Sequence, residues 1–328
     1  RNNETATAKA IVQSLKENSI NNEELGMYWK EWDQKGYWWY QAPIESQSLM
    51  IEAFSEIDKD PKTIGDLKTW LLKNKQTNNW KTTKATADAC YALLLNGNDW
   101  ISTEKTVSIK LGNTIISDND GKEAGTGYFK KRIEGEKIKP KMGNITVTVS
   151  SDGKSASSAS SLGDQEPSWG SVYWQYFEDL DKITVAETPL KLSKKLFIEK
   201  NSDNGPVLVP VNDGDELHIG DKIKVRVELR VDRHMEYVHM KDMRASCMEP
   251  VNVLSGYKFQ DGLGYYESTK DVSTNFFFDQ LNKGTYVFEY PMFITHAGNF
   301  SNGVTTIQCM YAPEFTAHSE GVRVKVGQ

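Results

Sequence analysis

Over the first hundred residues, hydrophobic positions recur at the spacing of one helix face. Ile11, Val12 and Leu15 form one such set. Ile44, Leu49, Ile51, Ala53, Phe54 and Ile57 follow Pro43, and Ile64, Leu67, Trp70, Leu71 and Leu72 follow Pro61. A fourth set runs from Thr82 through Ala85, Ala89, Tyr91 and Leu93 to Leu95, with Gly97 as a stop signal. The pattern predicts four amphipathic helices with short connections. A weak repeat accompanies it. Gly36-Tyr37-Trp38-Trp39 precedes the helix holding Ala53, and Asn78-Asn79-Trp80 precedes the helix holding Ala92, a period of about 40 residues. Tryptophan is expected as a wedge ahead of each inner helix, and Ala85, Ala87, Ala89 and Ala92 allow close approach, as in an α/α toroid.

From Thr103 the period changes to two. Val107, Ile109 and Leu111 alternate with polar residues, as do Ile145, Val147 and Val149, and Ile223, Val225, Val227 and Leu229. Further strand-like runs are Phe276 to Phe278, Tyr286 to Tyr290, Thr305 to Met310 and Val322 to Val326. Turn signals such as Asp213-Gly214, Lys283-Gly284 and Asn302-Gly303 separate them. The expected fold is multidomain, α then β: partial toroid helices followed by antiparallel β-sandwich domains. The Ser-rich stretch 150–161 reads as a flexible loop within a domain, and a second break falls near Thr184 to Pro189.

Composition narrows the function. Lys and Arg number 39 against 45 Asp and Glu, a net charge of −6, so a generally basic nucleic-acid binder is excluded as the default. No stretch approaches the roughly 20 apolar residues of a bilayer-spanning helix. Cys90, Cys247 and Cys309 form no CxxC pair and read as buried thiols. The aromatic content is high, with 9 Trp and 14 Tyr. The sets Trp29-Trp32-Trp38-Trp39 and Trp169-Tyr173-Trp174-Tyr176-Phe177 are either core packing or platforms for sugar or peptide.

No phosphate loop, nucleophile elbow or zinc spacing occurs, so no catalytic, metal or cofactor residue is assigned. His234 and His239, an odd number of positions apart on one strand, point to opposite faces and read as surface or core histidines. Asp118-Asn119-Asp120-Gly121 lacks carboxylates at the first and twelfth positions of a calcium loop and reads as a turn. The segment Gly121 to Gly127 likewise reads as a turn, because no helix follows it. Glu178, Asp179 and Asp181 are too close in sequence to flank one sugar and read as a solvated strand end. A thioester at Cys247 is chemically impossible, because the position three residues on is Pro250 rather than Gln.

The segments Ile44 to Phe54, Trp70 to Thr77 and Trp80 to Ala87 resemble the end of the thioester domain of bacterial α2-macroglobulins. Tyr265-Tyr266-Glu267, Asp271, Phe276-Phe277, Gly284-Thr285-Tyr286, Gly298 and Met310-Tyr311-Ala312-Pro313-Glu314 resemble the last macroglobulin-type domain of that family. The resemblance implies residues 1–100 as the C-terminal helices of an incomplete toroid, 101–183 as a β-rich, CUB-like return segment, and 184–328 as a C-terminal sandwich. It implies a non-enzymatic piece of a protease inhibitor without its own bait or thioester, and a cut fragment rather than a whole protein. The implied partners are target proteases and upstream domains of the same chain, with membrane contact only through an upstream lipid anchor in the periplasm or envelope. In this setting Tyr265 and Tyr266 are candidates for contact between the sandwich and the toroid. The alternative from another class is a carbohydrate-active or carbohydrate-binding protein. The inner-face segments, however, offer Ala, Leu and Tyr, with Glu45, Glu52 and Asp88 as the few acids for such a cleft.

Overall fold

The computed structural model describes residues 4–33, 41–95, 105–117, 121–123, 127–151 and 170–328. The chain divides into two units, Arg1–Lys73 with Trp80–Gly170, and Asn74–Asn79 with Ser171–Gln328.

Helix α1 (Thr5–Glu17) is followed by the short hairpin β1 (Ile20–Asn22) and β2 (Gly26–Tyr28), then by α2 (Pro43–Ile57), α3 (Pro61–Thr77) and α4 (Thr83–Leu94). The starts of these helices are chemical. Pro43 and Pro61 sit in the first turn, where the proline's missing N–H removes no helix bond, and the Thr82 hydroxyl accepts the Ala85 N–H at 2.9 Å. Ala85, Ala89 and Ala92 form a buried stripe on α4 that lets α2 pack closely with Ile44, Ile51 and Phe54 inward. Leu49, Tyr91 and Leu94 are exposed instead. Leu49 lies two residues from Ile51 and Leu94 two from Ala92, which on a helix turns each to the far side.

The Trp29 and Trp32 rings lie 4.6 Å apart, and Trp32 reaches Trp70 at 5.7 Å, so this aromatic set packs within the helical core. Trp80 is buried just ahead of α4. Gly36, Tyr37, Trp38, Trp39 and Gly97 lie outside the described residues.

Two buried polar side chains hold these elements in register. The Gln47 amide donates to the carbonyls of Met27 and Leu67, at 2.9 Å each, tying β2 and α3 to α2. The Lys68 ammonium donates to Leu93 and Leu95 carbonyls at 3.0 Å each, covering the C-terminal end of α4, and its burial pulls its pKa down. Gly26 has φ +80°, and a Cβ there would stand 2.2 Å from the Asp66 carbonyl, so no other residue fits against α3.

Strands β3 (Lys105–Leu111), β4 (Thr114–Ser117) and β5 (Ile145–Ser151) form an antiparallel sheet in the order β4-β3-β5. Ile109 stands opposite Ile116 and Val147, Val107 opposite Val149, and Leu111 opposite Ile145. Period two therefore identifies these strands and their shared face. It does not identify burial, since Val147 on that face is 56% exposed.

The remaining strands are β6 (Leu190–Ser202), β7 (Gly205–Pro210), β8 (Glu216–His218), β9 (Lys222–Val231), β10 (Met235–Met243), β11 (Met248–Pro250), β12 (Gly256–Gln260), β13 (Leu263–Lys270), β14 (Ser273–Leu281), β15 (Gly284–Ile294), β16 (Gly298–Ser301), β17 (Thr305–Cys309), β18 (Thr316–His318) and β19 (Arg323–Gly327). A six-stranded sheet, β12-β13-β14-β10-β17-β18, packs on a five-stranded sheet, β11-β15-β9-β6-β7, and β16-β19-β8 forms a third. All pairs are antiparallel except β19 with β8. Phe288 of β15 meets Tyr265, Phe276 and Phe278 across the interface at 5.4, 6.2 and 5.6 Å. This fold is α then antiparallel β, as the periodicities predict.

The segment entering the sandwich is clamped to its last strands. The Gly321 N–H donates to the Ile183 carbonyl at 2.8 Å, Asp181 pairs with Arg323 at 3.2 Å, and Ala186 bridges to His318. A Cβ on Gly321 would lie 1.7 Å from the Leu180 carbonyl, so only glycine permits the crossing.

The alanine stripe generates a test. Ala89→Leu forces extra volume between α2 and α4 and is expected to destabilise the helical unit by about 1–3 kcal/mol. Thermal unfolding followed by the helical circular dichroism signal checks this, and a change within error shows that the stripe does not set the packing.

Candidate functional site

The inward column of β6 reads Leu190, Leu192, Lys194, Leu196, so alternation itself drives a lysine into the core. Its partner arrives by the same rule: Val238, Met240 and Asp242 are the inward residues of β10. The Lys194 Nζ stands 2.7 Å from Asp242 Oδ1, with the two side chains 4% and 0% exposed. Nζ also donates to the Met243 carbonyl at 2.6 Å. Thr305 Oγ1 donates to Asp242 Oδ1 at 2.5 Å, and the Tyr290 hydroxyl donates to Oδ2. One carboxylate thus joins β6 and β15 of one sheet to β10 and β17 of the other. A buried ion pair persists only when further hydrogen bonds satisfy it, as here.

On the outer side of the six-stranded sheet one register row runs Tyr257, Tyr266, Phe277, His239, Gln308, Thr316. Tyr257 meets Tyr266 edge-on at 5.1 Å, and His239 stacks on Phe277 at 4.7 Å. His239 Nε2 also contacts Asn275 Oδ1 at 3.0 Å. Tyr237 extends this aromatic face. Between Glu236, opposite Gln280, and Val238, opposite Phe278, Tyr237 takes a left-handed φ of +55°, and its carbonyl accepts the Met310 N–H at 2.9 Å. Its ring meets Tyr311 at 5.4 Å. Positive φ is costly for a residue this bulky, so the conformation is held by its surroundings.

Tyr265 and Tyr266 therefore have opposite fates. Tyr265 is a core residue among Phe276, Phe278 and Phe288, its hydroxyl donating to Gln260 Oε1 at 3.3 Å, and burial pushes its pKa up to about 12. Tyr266 keeps its ring on the outer face.

The other candidate residues are not brought together. Cys247 and Cys309 are buried, with thiol pKa values raised by burial, whereas Cys90 is exposed, a correction to its reading as a buried thiol. Cys90 directly follows the inward Ala89, which turns it out of the helical core. His234 contacts Asn282 and has no partner in common with His239 among these contacts. Asp179 pairs with Lys182 at 2.7 Å and Asp181 with Arg323, so neighbouring carboxylates turn to separate cations. Glu45 accepts from Thr82 at 3.3 Å and Asp88 pairs with Lys84 at 2.5 Å, while Glu52 is half-buried on α2. Tyr173, Trp174, Tyr176 and Phe177 are exposed, so this set is not core packing; Trp169 lies outside the described residues. Asp118, Asn119, Asp120 and residues 124–126 also lie outside them. The Gly127 N–H donates to the Glu123 carbonyl at 3.2 Å. Among the described residues no cluster of His, Cys, Asp or Glu suits a metal ion, and no helix is long and apolar enough to cross a membrane.

The outer-face aromatics escape a reading of single motifs. Their signal is an aromatic in the polar phase of an alternating strand: Phe277 between Phe276 and Phe278, and Tyr266 beside Tyr265.

Residues 190–314 match the bacterial alpha-2-macroglobulin MG10 domain. No curated protein matches the chain. Among solved structures it is similar to trypsin-activated alpha-2-macroglobulin from Escherichia coli, at 11% identity and a TM-score of 0.40, over 88% of this chain and 19% of that one. It is similar to Salmonella alpha-2-macroglobulin reacted with methylamine, at 12% identity and a TM-score of 0.35, over 90% of this chain and 18% of that one. It is also similar to native E. coli alpha-2-macroglobulin from domain MG7 to the C-terminus, at 11% identity and a TM-score of 0.35, over 100% of this chain and 47% of that one. The chain thus spans about a fifth of the length of the longer structures.

The sandwich interior yields two tests. Asp242→Ala leaves the Lys194 ammonium buried and unpaired, and is expected to cost about 3–5 kcal/mol, partly recovered by Lys194→Met in the double variant. Urea unfolding measures both, and a single-variant loss under about 1 kcal/mol removes the ion pair from its central place. The second concerns alkaline pH. The folded pKa of Tyr265 is raised to about 12 from an ordinary value of 10.0, so its stabilising contribution is complete below pH 10 and is lost as pH rises towards 12. Tyr265→Phe should flatten that loss of stability, and an unchanged alkaline slope would assign it to other groups.

Proposed function

With residues 190–314 matching a bacterial alpha-2-macroglobulin MG10 domain, we propose that the chain is the C-terminal part of a proteinase-trapping protein of that family. The observation that carries this reading is the coincidence of the matched span with the sandwich that runs from β6 towards β18. In this reading the chain is not an enzyme. A protease cuts an exposed bait elsewhere in the protein, the molecule rearranges, and the protease is held; bait and thioester lie outside the chain.

The contribution of the chain is mechanical. A sandwich whose two sheets are joined through Asp242 moves as one body and conveys displacement without deforming. Of the pair Tyr265 and Tyr266, only Tyr266 keeps its ring on the outer face of the sheet, because the Tyr265 ring is committed to the core. The proposed location is the periplasm or cell envelope, with lipid anchoring through a segment outside the chain.

The test is size discrimination by the native protein isolated from its cells. After incubation with trypsin, the complex should keep activity on a small chromogenic peptide and lose activity on a large protein substrate. Equal loss on both substrates indicates ordinary active-site inhibition, and no loss on either removes the trapping reading.

A further inference from the structure

The six-stranded sheet ends on β12, which among the described residues pairs with β13 alone. The turn between these strands fixes which backbone groups face outward. Asp261 and Gly262 have φ of 52° and 75°, as a primed two-residue hairpin turn requires, and Gln260 and Leu263 close it. The closing residues exchange both hydrogen bonds, and alternation makes Lys258 with Tyr265 and Gly256 with Glu267 the other bonded pairs. The N–H and C=O groups of Tyr257 and Phe259 therefore point away from β13 along the free edge. Their side chains are 81% and 76% exposed.

β12 is blunted by its shortness, five residues, and by one inward-pointing charge, which restricts what can pair with it. The strand holds no proline, and its one charge, Lys258, lies on the opposite face from Tyr257 and Phe259 with its Nζ 2.6 Å from Glu267. The same hairpin protects its neighbour. The Gln260 amide donates to the Glu289 carbonyl at 3.4 Å and accepts the Glu289 N–H at 3.3 Å, and Asp261 accepts the Val287 N–H at 2.8 Å, so side chains cover the β15 edge.

We infer that β12 is a docking edge for an extended peptide segment that adds as a further strand. The segment places apolar side chains in alternation beside Tyr257 and Phe259 and a neutral or acidic residue opposite Lys258. Two observations select this occupant over a second copy of the chain. A two-fold pairing of β12 centred on its middle residue sets Lys258 against its own copy, like charges directly opposite. The two aromatic side chains also offer only roughly 150–250 Å² each, below the roughly 800 Å² per partner of a stable interface. Strand addition takes its affinity from main-chain hydrogen bonds and needs only a few side-chain contacts. The inference does not rest on the protease-trapping reading.

Hydrogen exchange of the full chain tests it, with the synthetic peptide acetyl-Thr-Val-Glu-Val-Thr-amide as probe. The expected result is exchange slowed about tenfold or more at the Tyr257 and Phe259 amides, with about tenfold weaker binding of the peptide that carries Lys in place of Glu. Phe259→Pro removes an N–H that faces outward and should abolish the effect without disturbing β13. Tyr257→Lys places a charge on the edge face and tests the same point should the proline variant unfold. Unchanged exchange at millimolar peptide, undiminished binding by both variants, or sedimentation as a dimer that protects these amides without peptide would each overturn the inference.

Discussion

The Asp242 carboxylate is the point on which the sandwich depends. Two apolar sheet faces can slide over one another at little cost, because hydrophobic contact is not directional. A buried carboxylate with a lysine, a tyrosine and a threonine around it is directional. It fixes β10 and β17 against β6 and β15, and thereby the phase in which Phe276, Phe278 and Tyr265 meet Phe288. Charge so placed adds little net stability over a well-packed apolar substitute, since desolvation offsets most of the attraction. Its use here is registration of one sheet on the other.

The helical unit solves the same problem by other means. Close approach of α2 and α4 comes from alanines, and register comes from Gln47 and Lys68, whose buried polar ends bind main-chain carbonyls. Each of these side chains spans elements distant in sequence. Losing either one strips two carbonyls of a donor in a place that water reaches poorly.

Periodicity is enough to identify four helices and the strands around Val107, Ile145, Ile223 and Tyr286, because these are properties of short windows. Pairing is not legible. β10 lies between β14 and β17, and nothing local in Met235–Met243 names those neighbours. Nothing near Lys194 in sequence marks it as half of an ion pair, since Asp242 lies 48 positions away. The outer aromatic row is divided among four strands and becomes a row only once the register is set. Tyr265 and Tyr266, adjacent and chemically identical, are separated by the pleat alone. Exposure of Val147 is illegible for the converse reason: alternation reports a face, and only a second layer decides whether that face is covered.

The crossing at Gly321 bears on how the sandwich takes load. The incoming segment lies against β19 and β18, held by the Ile183 carbonyl, by Asp181 on Arg323 and by Ala186 on His318, before the chain turns into β6. Tension applied along residues 170–183 reaches these three ties together and is delivered to the final strands, so β6 is not peeled from the sheet one hydrogen bond at a time. The first and last stretches of the domain share the strain, and the linker has an anchorage independent of the strand that follows it.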